Sequence, residues 1–184
     1  MDRRLFLQFP LVASTLAASA KTFPAGRPNK GFKVGAGKDR YQEELLIMGG
    51  KFDCKISSKD TGGDLLIYDT VRDAKGGPAL HIHYSQDEWF YVIKGDFVVQ
   101  VGEERYMLTS GDCAFAPRTV PHAFAMTGEG EGQMLVLFQP AGSMEDFFLG
   151  MQKIGKDIPK NMDETMKDLF ETHGMKIVGP PLKF

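Results

Sequence analysis

Several residue types are scarce in this chain of 184 residues, and each scarcity narrows its function. There are two cysteines, Cys54 and Cys113, and no C-x-x-C pair, which excludes the common cysteine zinc motifs. Lysine and arginine form no cluster and the formal net charge is −2, so the sequence offers no basic face for a nucleic acid. Acidic runs are also absent, and the charge pattern therefore indicates no charged macromolecular partner.

Both cysteines lie in strand-like segments among apolar residues. Such positions bury cysteine as a small hydrophobic residue. An exported protein could instead join the two in a disulfide. We predict two buried free thiols, and the disulfide is the alternative.

The first 20 residues, MDRRLFLQFPLVASTLAASA, have the form of an export signal. A charged start and an apolar stretch precede Ala18-Ser19-Ala20, which matches an A-x-A cleavage site. Arg3-Arg4 followed by LFL resembles a twin-arginine signal. Gln8 and Pro10 interrupt the apolar part, which does not suit a stable membrane span. We predict export to the periplasm with no membrane association after cleavage, and a tail on a cytosolic protein is the alternative.

Short strand-like runs fill the middle of the chain. Residues 21–43 are rich in Gly, Pro and Lys and indicate an N-terminal arm. From 44 to 140, runs such as DLLIYDTV and EWFYVIKG alternate with glycine-containing turns such as TGGD and TGEGEGQ. Turns at intervals of about 8–12 residues are typical of an antiparallel sandwich or barrel. This region is therefore predicted to be one β domain.

Residues 141–184 are predicted to form a helical extension that ends in an extended GPPLKF. Ser143 is a candidate N-cap, Gly174 suits the position after a helix, and His173 lies at that helix end. Apolar residues recur at helical spacing in two stripes: Met144, Phe147, Phe148 and Met151, then Met162, Met166, Leu169 and Phe170. We interpret both stripes as helix faces that pack on the β domain.

Histidine is also scarce, yet two of the four histidines stand one residue apart in PALHIHYSQDEWFYVIKG. On a strand, His81 and His83 point to the same face, with Cα atoms about 6.6 Å apart at a rise of about 3.3 Å per residue. Glu88 begins the next predicted strand and shares a face with Phe90 and Val92. The segment GDCAFAPRTVPHAFAM delivers a third imidazole, that of His122. Three nitrogens and one carboxylate suit one divalent Mn, Fe, Co, Ni, Cu or Zn ion.

These residues resemble the two motifs of the cupin family. H-x-H, four residues, Glu, six residues and Gly95 resemble the first motif, and Gly111, five residues, Pro117 and His122 resemble the second. The resemblance covers roughly residues 65–140. It implies a small double-stranded β-helix, which is a jelly-roll barrel. It also implies metal ligands at His81, His83, Glu88 and His122.

Two positions depart from the family pattern. Thr119 stands where the family usually has Gly, and Met126 stands where it often has Asn. Neither position is a ligand in the family. The predicted fold is thus all-β, a cupin barrel at 44–140 with C-terminal α-helices at 141–184. The two departures do not change the prediction of a metal site.

Within the family, the segments around both motifs and PAGSMEDFF look like quercetin-2,3-dioxygenase-like cupins. This likeness implies a metal-dependent dioxygenase acting on a small aromatic or enolisable substrate of the flavonol type. Glu88 would be both metal ligand and general base. Candidate residues for the lining of the barrel are Phe90, Val92, Phe115, Phe124, Met134 and Phe138.

Two other functions stay open, because one fold hosts many reactions. One is a non-catalytic cupin that binds a metal or a small molecule. The other is an isomerase or lyase acting on a sugar or keto acid, for which Arg118 and Lys94 would be candidate pocket cations. By resemblance, we expect a homodimer.

Overall fold

The computed structural model describes residues 27–156 and 162–184. The predicted export signal and the beginning of the predicted arm lie outside the described residues. Within the described ranges, no helix is long and apolar enough to span a membrane. The elements are β1 (Leu45–Ile47), β2 (Gly50–Ile56), α1 (Ser58–Thr61), β3 (Leu66–Arg72), β4 (Ala79–His83), β5 (Asp87–Lys94), β6 (Phe97–Val101), β7 (Glu104–Leu108), β8 (Cys113–Ala116), β9 (His122–Met126), β10 (Gly132–Gln139), α2 (Met144–Lys156), α3 (Met162–Thr172) and β11 (Met175–Pro181).

The strands form two antiparallel sheets that share one hydrophobic core. The first sheet has the order β1-β2-β3-β10-β5-β8, and the second has the order β11-β4-β9-β6-β7. Strand β10 lies between β3 and β5, so strands that are distant in the sequence become neighbours, as in a jelly roll. The predicted all-β double-stranded β-helix with C-terminal helices is confirmed.

Strand β5 shows why the motif residues face inward. Glu88, Phe90 and Val92 are buried, whereas Trp89, Tyr91 and Ile93 are exposed on the opposite face. Successive side chains of a strand alternate between the faces of a sheet, so the burial of Phe90 and Val92 carries Glu88 inward with them. The face predicted for these three residues is confirmed.

Strand β8 corrects two predictions. Ala114 and Ala116 point into the core, so Cys113 and Phe115 point outward and are exposed. The Phe115 ring packs on Trp89 with 4.9 Å between ring centroids, outside the barrel. The prediction that Phe115 lines the barrel is therefore wrong, and so is the prediction that Cys113 is buried. Both cysteines are free thiols, and burial raises the pKa of Cys54 to about 12.

The two C-terminal helices cover the core with the predicted apolar stripes. Four residues of α2, Met144, Phe147, Phe148 and Met151, are buried, as is Phe170 of α3. Phe148 packs against Phe52, Tyr68 and Phe138 of the first sheet. Ser143 lies just before α2 as predicted, and its hydroxyl lies 3.0 Å from His173 Nδ1.

After α3 the chain returns to the barrel. Gly174 has φ +73°, a left-handed conformation that suits glycine, and the chain then enters β11. Strand β11 pairs antiparallel with β4, placing Met175 opposite His83 and Ile177 opposite His81. The sequence indicated only an extended end here, and the structure makes this end a neighbour of the histidine strand.

Candidate metal centre

The structure brings the four predicted ligands together. His81 and His83 lie on β4, Glu88 lies on β5, and His122 is the first residue of β9, where it pairs with His81. All four side chains are buried. One potential ligand atom from each lies within 4.8 Å of the others. These residues, named here the His–Glu cluster, could hold a metal ion.

One carboxylate oxygen lies at the centre of the His–Glu cluster. Glu88 Oε2 lies 2.9 Å from His122 Nε2, 3.2 Å from His83 Nε2 and 3.9 Å from His81 Nε2. Three Nε2 atoms thus converge on the same carboxylate oxygen. This arrangement matches the three-nitrogen, one-oxygen ligand set expected from the sequence.

Backbone carbonyls orient two of the imidazoles. His81 Nδ1 lies 2.8 Å from Ala79 O, and His122 Nδ1 lies 2.8 Å from Val120 O. A carbonyl oxygen can only accept, so each Nδ1 must carry the proton and donate it. In a neutral ring, Nε2 then presents its lone pair to the cluster, which is the orientation that metal-ligating histidines adopt.

His83 provides the test of fit for a metal. Both of its ring nitrogens are buried and have no hydrogen-bond partner among the described residues. Nε2 lies close to Glu88 Oε2, but not in hydrogen-bonding geometry. An unsatisfied buried polar group costs roughly 1–3 kcal/mol. A cation coordinated by Nε2 would remove part of that cost, so the residues present fit a metal.

Burial and mutual contact set the charges in the cluster. Burial lowers the pKa of His81 to about 3, and the neighbouring His122 adds to this effect. Burial also opposes charge on Glu88 and His122, but their hydrogen bond outweighs it. The pKa of Glu88 therefore lies well below its usual value, and that of His122 is raised. A metal that binds His122 must displace the proton shared by this pair.

The loop before His122 contains a strained residue. Thr119 has φ +67°, in the left-handed region that β-branched residues rarely adopt. Its backbone N–H donates to His83 O over 2.7 Å, which ties the loop to the histidine strand. The conformation explains why glycine is usual at this position in the family that the motifs resemble.

The two candidate pocket cations lie elsewhere. Arg118 is exposed and binds Asp87 through two side-chain contacts, Nε to Oδ1 at 3.0 Å and Nη2 to Oδ2 at 2.7 Å. This pair joins the His122 loop to the start of β5 and lowers the pKa of Asp87 to about 2. Lys94 is exposed and pairs with Glu131. Neither cation lines the apolar cavity that reaches the His–Glu cluster.

An apolar cavity of about 150 Å³ reaches the His–Glu cluster. Its walls include His81, His83 and Glu88, together with aromatic and methionine side chains from both sheets and both long helices. Of the residues predicted to line the barrel, Phe124 and Phe138 do so, while Phe90, Val92 and Met134 fill the core. The further lining residues include Phe52, Phe147, Phe148, Phe170, Met48, Met144, Met151 and Met166.

Sequence reasoning missed one polar residue of this cavity. Arg72 lines it and is only 5% exposed. The alternation of β3 could have indicated its burial, because Arg72 lies on the same buried face as Leu66, Tyr68 and Thr70. From sequence alone, a charged residue at the end of a strand is predicted to be exposed, because the elements that pack over it are not known.

Comparison with known proteins supports the fold and the motif. Residues 70–138, which contain the whole His–Glu cluster, match the family described as Cupin domain. An uncharacterized protein of Methanocaldococcus jannaschii, MJ1618, is 28% identical over 67 residues, which are 36% of this chain and 54% of that protein. The chain thus spans about half the length of this curated relative.

Solved structures are similar to the barrel. An RmlC-like cupin from Shewanella frigidimarina is 27% identical, with 64% of this chain and 96% of that chain covered and a TM-score of 0.50. KdgF from Halomonas sp. is 24% identical, with 54% and 89% covered and a TM-score of 0.48. The domain match over residues 70–138, the two-sheet jelly roll and the cupin neighbour together support a cupin fold for the barrel.

Proposed function

We propose that this chain is a metal-dependent enzyme of the dioxygenase type that acts on a small aromatic or enolisable substrate. One observation carries the proposal. A buried cluster of three histidines and one glutamate forms part of the wall of a cavity whose other walls are mostly aromatic and methionine side chains. Such a cavity suits an apolar organic molecule that presents one polar group to the cluster.

In this proposal, one divalent transition metal binds His81, His83 and His122 through Nε2, and Glu88 through its carboxylate. When bound, a redox-active metal would supply a Lewis acid for an ionised hydroxyl or enolate oxygen and a means to activate dioxygen. The protein residues supply orientation. The carbonyls of Ala79 and Val120 fix two of the imidazoles, and the apolar walls exclude water from the reacting group.

Glu88 enters the proposal first as a ligand. A general base works best when its pKa lies near the operating pH. The pKa of Glu88 lies well below its usual value, which makes its carboxylate a weak proton acceptor at neutral pH. Its contacts with three imidazoles instead support a role in holding the metal.

Metal analysis tests the site. Protein produced without a histidine tag should contain close to one equivalent of a transition metal by inductively coupled plasma mass spectrometry. The His81→Ala/His122→Ala variant should lose it. His173→Ala is the matched control, because His173 contacts Ser143 and takes no part in the cluster. If the wild-type protein bound no added transition metal, the proposal would be refuted.

Oxygen consumption separates the proposed reaction from its alternatives. Metal-loaded protein is given flavonols and other enolisable aromatic compounds in an oxygen-electrode cell, with the double-histidine variant as control. Metal-dependent uptake of oxygen supports a dioxygenase. Turnover of a keto acid or sugar without oxygen uptake would point to an isomerase or lyase, and binding without turnover would point to a binding protein.

The proposal includes export and a homodimer. Export rests on the form of residues 1–20. For the homodimer, we propose the outer face of the first sheet as the contact. Trp89, Tyr91 and Phe115 are 40%, 43% and 45% exposed there, and Trp89 pairs with Phe115 across β5 and β8. Contact between these three side chains and the same face of a second copy would remove a large aromatic surface from water.

A further inference from the structure

Arg72 is a buried cation at the far end of the cavity from the His–Glu cluster. It is the last residue of β3, on the face that points into the barrel, and it is 5% exposed. Among the described residues that line the cavity, it is the only lysine or arginine. Its side chain is not one of the proposed metal ligands.

The protein compensates this charge only in part. Nη2 donates to Met48 O over 2.8 Å, and the guanidinium carbon lies 5.8 Å from the centroid of the Phe124 ring. Nε is buried and has no hydrogen-bond partner, and no carboxylate of the described residues forms an ion pair with the group. Burial lowers the pKa of Arg72, yet arginine stays protonated in proteins. A buried charge without an anionic partner is costly.

The neighbouring strands present glycines opposite Arg72. Arg72 stands opposite Gly50 on β2 and opposite Gly132 on β10. A Cβ atom at Gly50 would lie 3.3 Å from both Arg72 Cγ and Nη1. Glycine at this position therefore lets the arginine side chain pack directly against the backbone of β2. The packing is arranged to accommodate this side chain within the barrel.

We propose that Arg72 binds the carboxylate of an elongated, otherwise apolar monocarboxylic acid whose opposite end reaches the His–Glu cluster. The role of the cluster end rests on the proposed function. The role of Arg72 rests instead on the burial and the contacts of its own side chain. The substrate class is thereby narrowed to aromatic or enolisable acids, and a flavonol, which has no carboxylate, becomes a poorer fit.

Charge and chemistry favour a carboxylate. A planar guanidinium presents donors in a fork that matches the two oxygens of a carboxylate. A single cation balances one negative charge, whereas a phosphate dianion would leave a second charge buried among apolar side chains. The rest of the cavity wall near Arg72, including Met48, Phe52 and Phe124, suits a hydrocarbon body.

The strand register indicates an elongated ligand. Phe138 of β10 pairs with Glu88, and Gly132 of the same strand pairs with Arg72. Six residue steps separate these two levels, which is roughly 20 Å of backbone at about 3.3 Å per step. The arginine side chain covers part of that length. A ligand that contacts both ends must therefore be extended along β10.

The test compares a carboxylate with its neutral isostere. Binding of 3-phenylpropionate and of 3-phenylpropanamide is measured by calorimetry on the full protein after chelation of metal, because a carboxylate can also coordinate a metal. The wild type should bind the acid roughly tenfold or more tightly than the amide, since hydrogen bonds to charged groups are the stronger ones. Arg72→Met should abolish this preference and retain binding of the amide.

Two further variants complete the design. Arg72→Lys keeps the charge but loses the fork, and its preference for the acid should be intermediate. Arg105→Met makes the same replacement at an exposed arginine of β7 and should keep the wild-type preference. Arg72→Met should unfold at a temperature equal to or above that of the wild type, because it removes a buried charge without an anionic partner.

Several results would overturn the inference. These are equal affinities of the wild type for acid and amide, no binding of either, or an unchanged preference in Arg72→Met. A lower unfolding temperature of Arg72→Met with the preference retained would show a purely structural role. Metal content is measured on the same preparations before chelation. Absence of metal with preference for the acid intact would refute the proposed function alone, and metal without the preference would refute only the role of Arg72.

Discussion

Replacement of Thr119 by glycine should stabilise the protein. Thr119 holds φ +67°, and a left-handed conformation costs an L-residue roughly 1–2 kcal/mol. Glycine avoids that cost but adds conformational freedom to the unfolded chain, which returns about 0.4–1 kcal/mol. The Thr119 side chain is exposed, so little packing is lost. We expect the free energy of unfolding to rise by about 0.5–1 kcal/mol.

Urea unfolding of chelated protein, followed by circular dichroism, measures this change. In a chain of this length the gain corresponds to an increase in Tm of about 1–4 °C. Thr119→Val is the matched control, because it keeps the β-branch and should show no gain. The N–H donated to His83 O survives both substitutions, so metal content should not change. A loss of stability in Thr119→Gly would refute the argument that the backbone there is strained.

Three other predictions concern the site and its surroundings. Glu88→Gln should weaken metal binding by more than about tenfold in a competitive titration, because it removes the only anionic ligand; unchanged affinity would contradict the ligand role. Asp87→Asn should lower stability at neutral pH by about 0.2–1 kcal/mol. The pKa of Asp87 is depressed to about 2, so the contribution is present above its unfolded pKa and the difference from wild type should vanish as the pH falls from about 4 to about 2. Trp89→Lys/Phe115→Lys should convert the expected dimer to a monomer in light scattering, and a monomeric wild type would contradict the proposed contact.

The His–Glu cluster was predictable because it depends on short offsets. The two-residue period of a strand puts His81 and His83 on one face, and the buried alternation of β5 determines where Glu88 points. The loop before His122 is bounded by two prolines, and the spacing of Gly111, Pro117 and His122 is itself a motif. These relations are local in the chain and do not require knowledge of the tertiary packing.

Other features depended on packing that no local pattern reveals. Strand β8 has apolar or small residues on both faces, so the sequence could not show that Phe115 and Cys113 point outward. Pro180 and Pro181 argue against a strand, yet β11 lies at the edge of its sheet, where proline is tolerated. The burial of Arg72 depends on Met48, Gly50 and Phe124, which contact it from distant parts of the sequence.

The pairing of β11 with β4 has a consequence for the order of synthesis. His81 and His83 leave the ribosome roughly 90 residues before Met175–Pro181, the segment that completes their sheet. Until that segment emerges, the histidine strand is an open edge that invites pairing with other chains. Ile177 and Pro181 also form part of the cavity wall, so the pocket closes only after this segment has emerged. Metal insertion should therefore follow the emergence of Met175–Pro181, and a stop codon before Met175 should yield an aggregating chain that does not retain metal.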